Sequence, residues 1–253
     1  MNTKRAFTLL ELLIVIVIIA VLAGILLPVF SSVLKNGDRA HALGNFRSLA
    51  VGMGTYAAEH NLELPAEGED QPTWESAALP ESADAWYNAI PRLARHKALA
   101  DFAEQPDAFY EKANLLFIPA ATYPKKEERN KRPLFAVSMN SKLRVKELSG
   151  KAVRLVNIQK PARTVIFQES GVPGEDPLPG QIAGKYDGQT KSFANRTVAR
   201  YAGKTHLVFA DGHVECLDAK KVVAPDGKAF FPQMNGQGGE VIWTLDPEAD
   251  ANK

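Results

Sequence analysis

The sequence predicts an α+β chain in which a long N-terminal helix, membrane-spanning over its first half, packs on an antiparallel β-sheet head. Three observations carry that expectation. Phe7 to Phe30 is a run of 24 residues whose only charge is Glu11. Beyond Pro28 the all-round apolar pattern gives way to a one-sided one. Further along, short β-rich runs alternate with Gly and Pro clusters and include an Asp-Gly turn at Asp211-Gly212.

The apolar run comes first. At ~1.5 Å per residue it makes ~36 Å of helix, enough to cross a hydrocarbon layer of ~30 Å. A carboxylate in such a segment costs up to ~2.5–3.5 kcal/mol at the helix centre and is functional by default. Glu11 lies five residues into the run, near one membrane face, where the cost is smaller but packing does not explain it. A cleaved secretory signal has an apolar stretch of only ~7–15 residues and a small-residue cleavage site after it. Here the stretch is too long and no Ala-x-Ala site follows Pro28. A plain membrane anchor leaves Glu11 without a role. Lys4 and Arg5 favour a cytoplasmic N-terminus, which sends everything after Pro28 across the membrane.

The second half of the helix is amphipathic. Leu43, Phe46, Leu49, Ala50, Met53, Tyr56 and Ala57 recur at three- and four-residue steps, with Arg39, Asn45, Arg47, Ser48, Glu59 and His60 between them. Gly37, Gly44, Gly52 and Gly54 weaken the helix by up to ~1 kcal/mol each relative to Ala, so it needs docking to persist. The simplest arrangement is one long, bent helix from about Phe7 to His60, ended by Asn61 and Pro65. The stripe from Leu43 to Tyr56 would hold the head to it.

In the head, Ala66 to Pro80 is acidic and Pro-bearing and reads as a surface loop. Asp84 to Tyr110 carries apolar spacings for one or two short helices. Strands are expected at Leu115 to Ile118, Leu134 to Ser138, Ala152 to Ile158, Arg163 to Gln168, His206 to Ala210, Val214 to Leu217 and Glu240 to Leu245. The mixed-charge run from Lys125 to Arg132 reads as a solvated loop.

His206 to Ala210 and Val214 to Leu217 read as a hairpin around a two-residue Asp-Gly turn. That register sets Ala210 opposite His213, Phe209 opposite Val214 and Leu207 opposite Cys216. Leu207, Phe209, Val214 and Cys216 would then share the core face. His206, Asp211, His213 and Cys216 look like zinc ligands in one-letter code. However, Cys216 points away from His213, and His206 lies roughly 13 Å from it, so one ion cannot join them. Cys216 reads as an inert core thiol. As the sole cysteine it also excludes an internal disulfide.

Net charge is +1 with a pI near 7.8, which gives no electrostatic footprint for nucleic acid. No Gly-x-Ser-x-Gly, His-Glu-x-x-His or phosphate-loop pattern is present, and Gly236-Gln237-Gly238-Gly239 precedes a strand, not a helix. The chain therefore does not read as an enzyme and no cofactor is expected. No metal is expected: Asp211, Asp218 and Asp226 offer oxygen ligands for calcium, but their spacing is not that of an EF-hand loop and they read better as solvated turn residues.

The leader MNTKRA followed by Phe7-Thr8-Leu9-Leu10-Glu11 resembles the bacterial type IV prepilins and type II secretion pseudopilins. Pro28 falls where many of them carry a helix-loosening proline. The family usually has Gly before the cut, and this chain has the small residue Ala6. Val208-Phe209-Ala210-Asp211-Gly212-His213-Val214 is similar to the C-terminal hairpin of a large group of prepilin-like proteins, with Tyr201 where that group carries a histidine. Further similarity lies at Asn45 to Pro65, Val137 to Asn140 and Pro161 to Phe167.

The resemblance implies a pilin-like fold divided into a leader (1–6), a transmembrane half-helix (7–30), an amphipathic half-helix (31–62) and a globular periplasmic or extracellular head (63–253). It implies cleavage between Ala6 and Phe7 by a prepilin peptidase, N-methylation of Phe7, and roles for Glu11 and Pro28 in assembly. Glu11 would pair with the Phe7 amino group of a neighbouring subunit. The implied function is a structural subunit of a type IV pilus-like or type II secretion pseudopilus filament. Its partners would be the peptidase, sister subunits, inner-membrane lipid and an assembly platform protein. It would sit in the bacterial inner membrane with a single span, the N-terminus cytoplasmic and the head periplasmic, before joining the filament. The alternative is a membrane-anchored periplasmic ligand-binding or hydrolytic domain on a prepilin-like anchor.

Overall fold

A single helix, α1 (Leu9–Glu59), runs for 51 residues. A computed structural model describes residues 9–143, 153–176, 178, 186–224, 227–230 and 239–252. The large apolar side chains of α1 from Leu9 to Leu34 are exposed wherever they are described. Burial begins at Ala42 and continues through Phe46, Leu49, Ala50, Met53, Tyr56 and Ala57, the three-and-four spacing of a one-sided helix. Leu43, expected in this stripe, is only half-buried. Asn45, expected on the polar side, is buried and its Nδ2 donates to the Phe117 carbonyl at 2.8 Å. The helix stops where Asn61 and Leu62 turn left-handed (φ 55° and 63°) and the Leu62 N–H bonds back to Ala57 O at 2.7 Å.

After α1 the chain forms α2 (Trp74–Ala78) and α3 (Trp86–Leu93), then short 3-10 turns at Leu99–Phe102 and Pro106–Tyr110. The stretch expected as a surface loop thus contains a helix. The Thr73 side chain caps its Ser76 N–H at 3.0 Å, and Trp74 and Ala77 are buried. α4 (Lys126–Arg129) is an exposed single turn. α3 lies against α1 and sends Trp86 onto Phe135 and Phe167, with ring centroids 5.9 and 5.2 Å apart.

The sheet has five strands: β1 (Val137–Asn140), β2 (Val165–Glu169), β3 (Lys191–Ser192), β4 (Lys204–Phe209) and β5 (Val214–Asp218), in the order β3-β1-β2-β4-β5. α5 (Ala219–Val222) follows β5, with Asp218 as its N-cap. The β1–β3 pair is parallel and the others antiparallel, so the sheet is mixed where an antiparallel one was expected. One face lies under α1. The other carries a second cluster built from Val165, Leu207, Phe209, Leu217, Val222 and Trp243.

Three expected strands are not strands. Leu115 to Ile118 is buried, but Asn114 bonds locally to the Phe109 carbonyl (2.6 Å) and the Leu116 N–H (3.1 Å), holding the backbone in a turn. Leu155–Asn157 is a 3-10 turn, and Ala152 lies outside the described residues. In Glu240 to Leu245 only Ile242 bridges, to Thr164.

The hairpin register also differs by one residue. Observed partners are Val208 with Val214, Leu207 with Glu215, and His206 with Cys216. The loop holds three residues, Ala210 to Gly212, closed by Phe209 N–H to His213 O (3.0 Å) and Gly212 N–H to Phe209 O (2.9 Å), with Gly212 at φ 88°. An Asp-Gly pair serves a three-residue loop ending in a left-handed glycine as well as a two-residue turn. A one-residue change in register reassigns every facing pair. Leu207 and Phe209 therefore face the second cluster, whereas Val214 and Cys216 share the α1 face with His206 and Val208.

Gly52 marks the close approach of α1 to α3, since a Cβ there would sit 2.7 Å from the Ile90 carbonyl oxygen. Gly54, two residues on, faces open space. Gly54→Ala should therefore stabilise the head by up to ~1 kcal/mol. Gly52→Ala should destabilise it by ~1–3 kcal/mol, because the clash is with backbone. Equilibrium urea denaturation followed by Trp fluorescence reads both signs.

Candidate functional site

The exposed half of α1 is the first feature able to carry function. Burying one Leu, Ile or Val side chain is worth ~1.5–3 kcal/mol. The exposed run from Leu9 to Leu34 therefore represents tens of kcal/mol, more than the ~5–15 kcal/mol net stability of a typical domain. Water cannot be its solvent, and lipid or other apolar helices must cover it. Among the described residues this is the one helix long and apolar enough to cross a membrane. Glu11 stands in the first turn of α1, where the helix dipole favours a carboxylate, and its side chain is exposed. Pro28 lies inside α1 and has no N–H for the Gly24 carbonyl four residues back. Ala6 and Phe7 lie outside the described residues.

Of the residues named for calcium, Asp211 lies in the hairpin loop and Asp218 at the far end of β5. Asp211 Oδ1 accepts from its own turn, the His213 N–H at 3.1 Å, and pairs with His213 Nδ1 at 2.6 Å. Asp218 Oδ1 accepts the Lys220 N–H at 3.0 Å as the cap of α5. Asp226 lies outside the described residues, as do Gly236, Gln237 and Gly238. Among the described residues no group of three or more His, Cys, Asp or Glu side chains could hold a metal ion. His213 stacks on Phe209 (4.3 Å) on the face away from Cys216, so these two do not converge.

Sequence reasoning missed a second feature, a buried polar cluster beneath α1. Arg200, almost wholly buried, donates through Nη1 to Glu169 Oε2 (2.9 Å) and through Nε and Nη2 to the two Glu175 oxygens (2.8 and 2.6 Å). Its Nη2 also meets the Ser170 carbonyl at 2.8 Å. Glu169, completely buried at the end of β2, places its other oxygen 2.6 Å from His206 Nδ1. Tyr201 closes edge-on over His206, with centroids 4.7 Å apart, and Phe46 of α1 lies 5.8 Å away on the helix side. Burial opposes the Arg200 charge, but Glu175 and Glu169 outweigh it and raise its pKa above the ordinary guanidinium value. Burial, reinforced by the Glu169 charge, raises the Tyr201 pKa. The sequence signal was a charged residue inside each of two apolar strands, Glu169 and His206, which no motif singles out.

The cluster is an anchor of charges in which Arg200 is held by Glu169 and Glu175, and Glu169 in turn holds His206. Arg200→Met would remove the cation shared by the two carboxylates Glu169 and Glu175 and should cost ~3–5 kcal/mol of head stability. Lys112→Met, which removes an exposed pair with Asp38 (2.9 Å), should cost under ~1 kcal/mol. Chemical denaturation of the two variants under one condition separates these outcomes.

Comparison with known proteins bears on the first feature. Residues 1–27 match the family described as the prokaryotic N-terminal methylation motif. The match includes Phe7-Thr8-Leu9-Leu10-Glu11 and does not extend to the C-terminal hairpin. No curated protein and no solved structure matches the chain. The N-terminal segment matches a prepilin-type cleavage and methylation segment, and with the apolar helix behind it points to a membrane-anchored, single-pass protein.

Proposed function

We propose that this chain is a structural subunit of a type IV pilus-like or type II secretion pseudopilus filament. The observation that carries the proposal is the continuity of α1. One helix begins in a prepilin-type segment, exposes an apolar surface over its first half and is locked into the head over its second. Prepilin peptidase cuts between Ala6 and Phe7 and methylates the new Phe7 amino group. The apolar half waits in the inner membrane and is then drawn, by way of an assembly platform protein, into a bundle of sister helices. Lipid and sister helices cover the same side chains, so extraction exchanges one apolar environment for another. The head projects on the periplasmic side.

In this reading Glu11 pairs with the Phe7 amino group of the adjacent subunit. A buried charge of that kind needs a partner, and pairing it fixes axial register more than it adds net stability. Pro28, by freeing the Gly24 carbonyl, is the point at which α1 can loosen as it leaves the membrane. Glu11→Ala should leave membrane insertion unchanged, since it removes the only charge in the span, and should abolish incorporation into filaments. Carbonate extraction of membranes checks the first outcome and immunoblotting of sheared filaments the second. Normal incorporation of the variant would refute the register role.

A further inference from the structure

The buried cluster ends in a group that a structural subunit does not require. Cys216 sits on β5, the edge strand, directly opposite His206 of β4. Cross-strand partners hold their Cβ atoms ~4.5–5.5 Å apart on one face, so the thiol adjoins the imidazole. His206 is completely buried, its Nδ1 is fixed 2.6 Å from Glu169, and its Nε2 has no hydrogen-bond partner among the described residues. Arg39 lies on α1, which packs on β5, and its charge favours the thiolate. Cys216 itself is only half-buried.

The arrangement is a thiol beside an imidazole, with a carboxylate orienting that imidazole from behind. It has the parts of an activated nucleophile, a base at the facing strand position and a third group holding that base. Electrostatics agree with the geometry. Burial alone would raise the Cys216 pKa, but His206 and Arg39 outweigh it and bring it below the ordinary thiol value. Burial likewise opposes a charge on His206, yet the Cys216 sulfur and the Glu169 carboxylate lift its pKa to about 9. Both signs favour transfer of the thiol proton from sulfur to nitrogen. The other groups facing the pair are Arg200, behind Glu169, together with Tyr201 and Asp38.

We propose that Cys216, with His206 as its proton acceptor and Glu169 as the anchor of that imidazole, is an activated thiol that exchanges with low-molecular-weight disulfides. Cys216 Sγ gives its proton to His206 and attacks one sulfur of R–S–S–R. The reagent S–S bond breaks as the Sγ–S bond forms, and the departing thiolate takes up one proton to leave as RSH. The protein thiol is oxidised to a mixed disulfide, and the released thiol is the reduced product. This chemistry is independent of how α1 is used.

The test is the reaction of the full chain, in detergent micelles, with dithiodipyridine, read as released thiopyridone, and with oxidised glutathione, read by mass. Thiolate falls away as pH drops through the folded-state pKa, so the rate midpoint should lie below the ~8.5 of an ordinary thiol. His206→Asn should move the midpoint up and slow the reaction at pH 7 by roughly tenfold per pKa unit lost. Arg39→Gln, at an exposed position, should shift it in the same direction by less, and Cys216→Ser should abolish it. A wild-type midpoint at or above ~8.5 would overturn the proposal. So would reaction only in denaturant, or a profile unmoved by both variants. Should circular dichroism show His206→Asn unfolded, the Arg39→Gln profile decides alone.

Discussion

The seating of Phe46, Leu49 and Met53 of α1 in the head core is the contact on which the rest of the structure depends. All three are essentially inaccessible to solvent, and each buried side chain of this size contributes ~1.5–3 kcal/mol. Without them the sheet would lose the cover of one face, and the core cluster they share with Trp86 and Phe167 would be opened. The same contact fixes the head to the end of a long helix. From Glu11 to Phe46 is 35 residues of that helix, ~52 Å if straight, with Pro28 between them as the point where a backbone bond is missing.

That helix serves two environments in succession. Its first half is apolar all round and exposed, and its second half is apolar on one side and buried. Gly52 permits the closest approach, letting the Ile90 backbone of α3 come within reach of α1. On the sheet side the helix meets a polar cluster as well as an apolar floor. Phe46 covers the His206 ring, and Glu169, Arg200 and Glu175 hold that histidine from below. Ionic groups this deep add little net stability, but each would cost several kcal/mol if left alone, so they restrict which partners the strands accept.

The long helix, its two regimes and its stop at Asn61 were legible because each follows from the local spacing of apolar residues. The hairpin was legible as a hairpin and not in register, because Asp-Gly suits both a two-residue turn and a three-residue loop with a left-handed glycine. That single residue changed the partner of Cys216 from Leu207 to His206, and with it the thiol's chemistry. Leu115 to Ile118 looked like a strand because periodicity reports burial, and Asn114 decides the backbone instead. β3 was missed because a two-residue strand has no periodicity to detect. The Glu169–Arg200–Glu175 cluster joins residues far apart in the chain, and only the fold brings them together.

As the working part of a proposed filament subunit, α1 would be matured at its N-terminus so that the apolar half remains on the protein. Intact-mass and N-terminal peptide mass spectrometry of the protein recovered from membranes tests this most directly. A mature chain that begins at Phe7 and carries one methyl group on its amino nitrogen is the predicted result. A chain that still begins at Met1 would contradict it and leave α1 a plain membrane anchor.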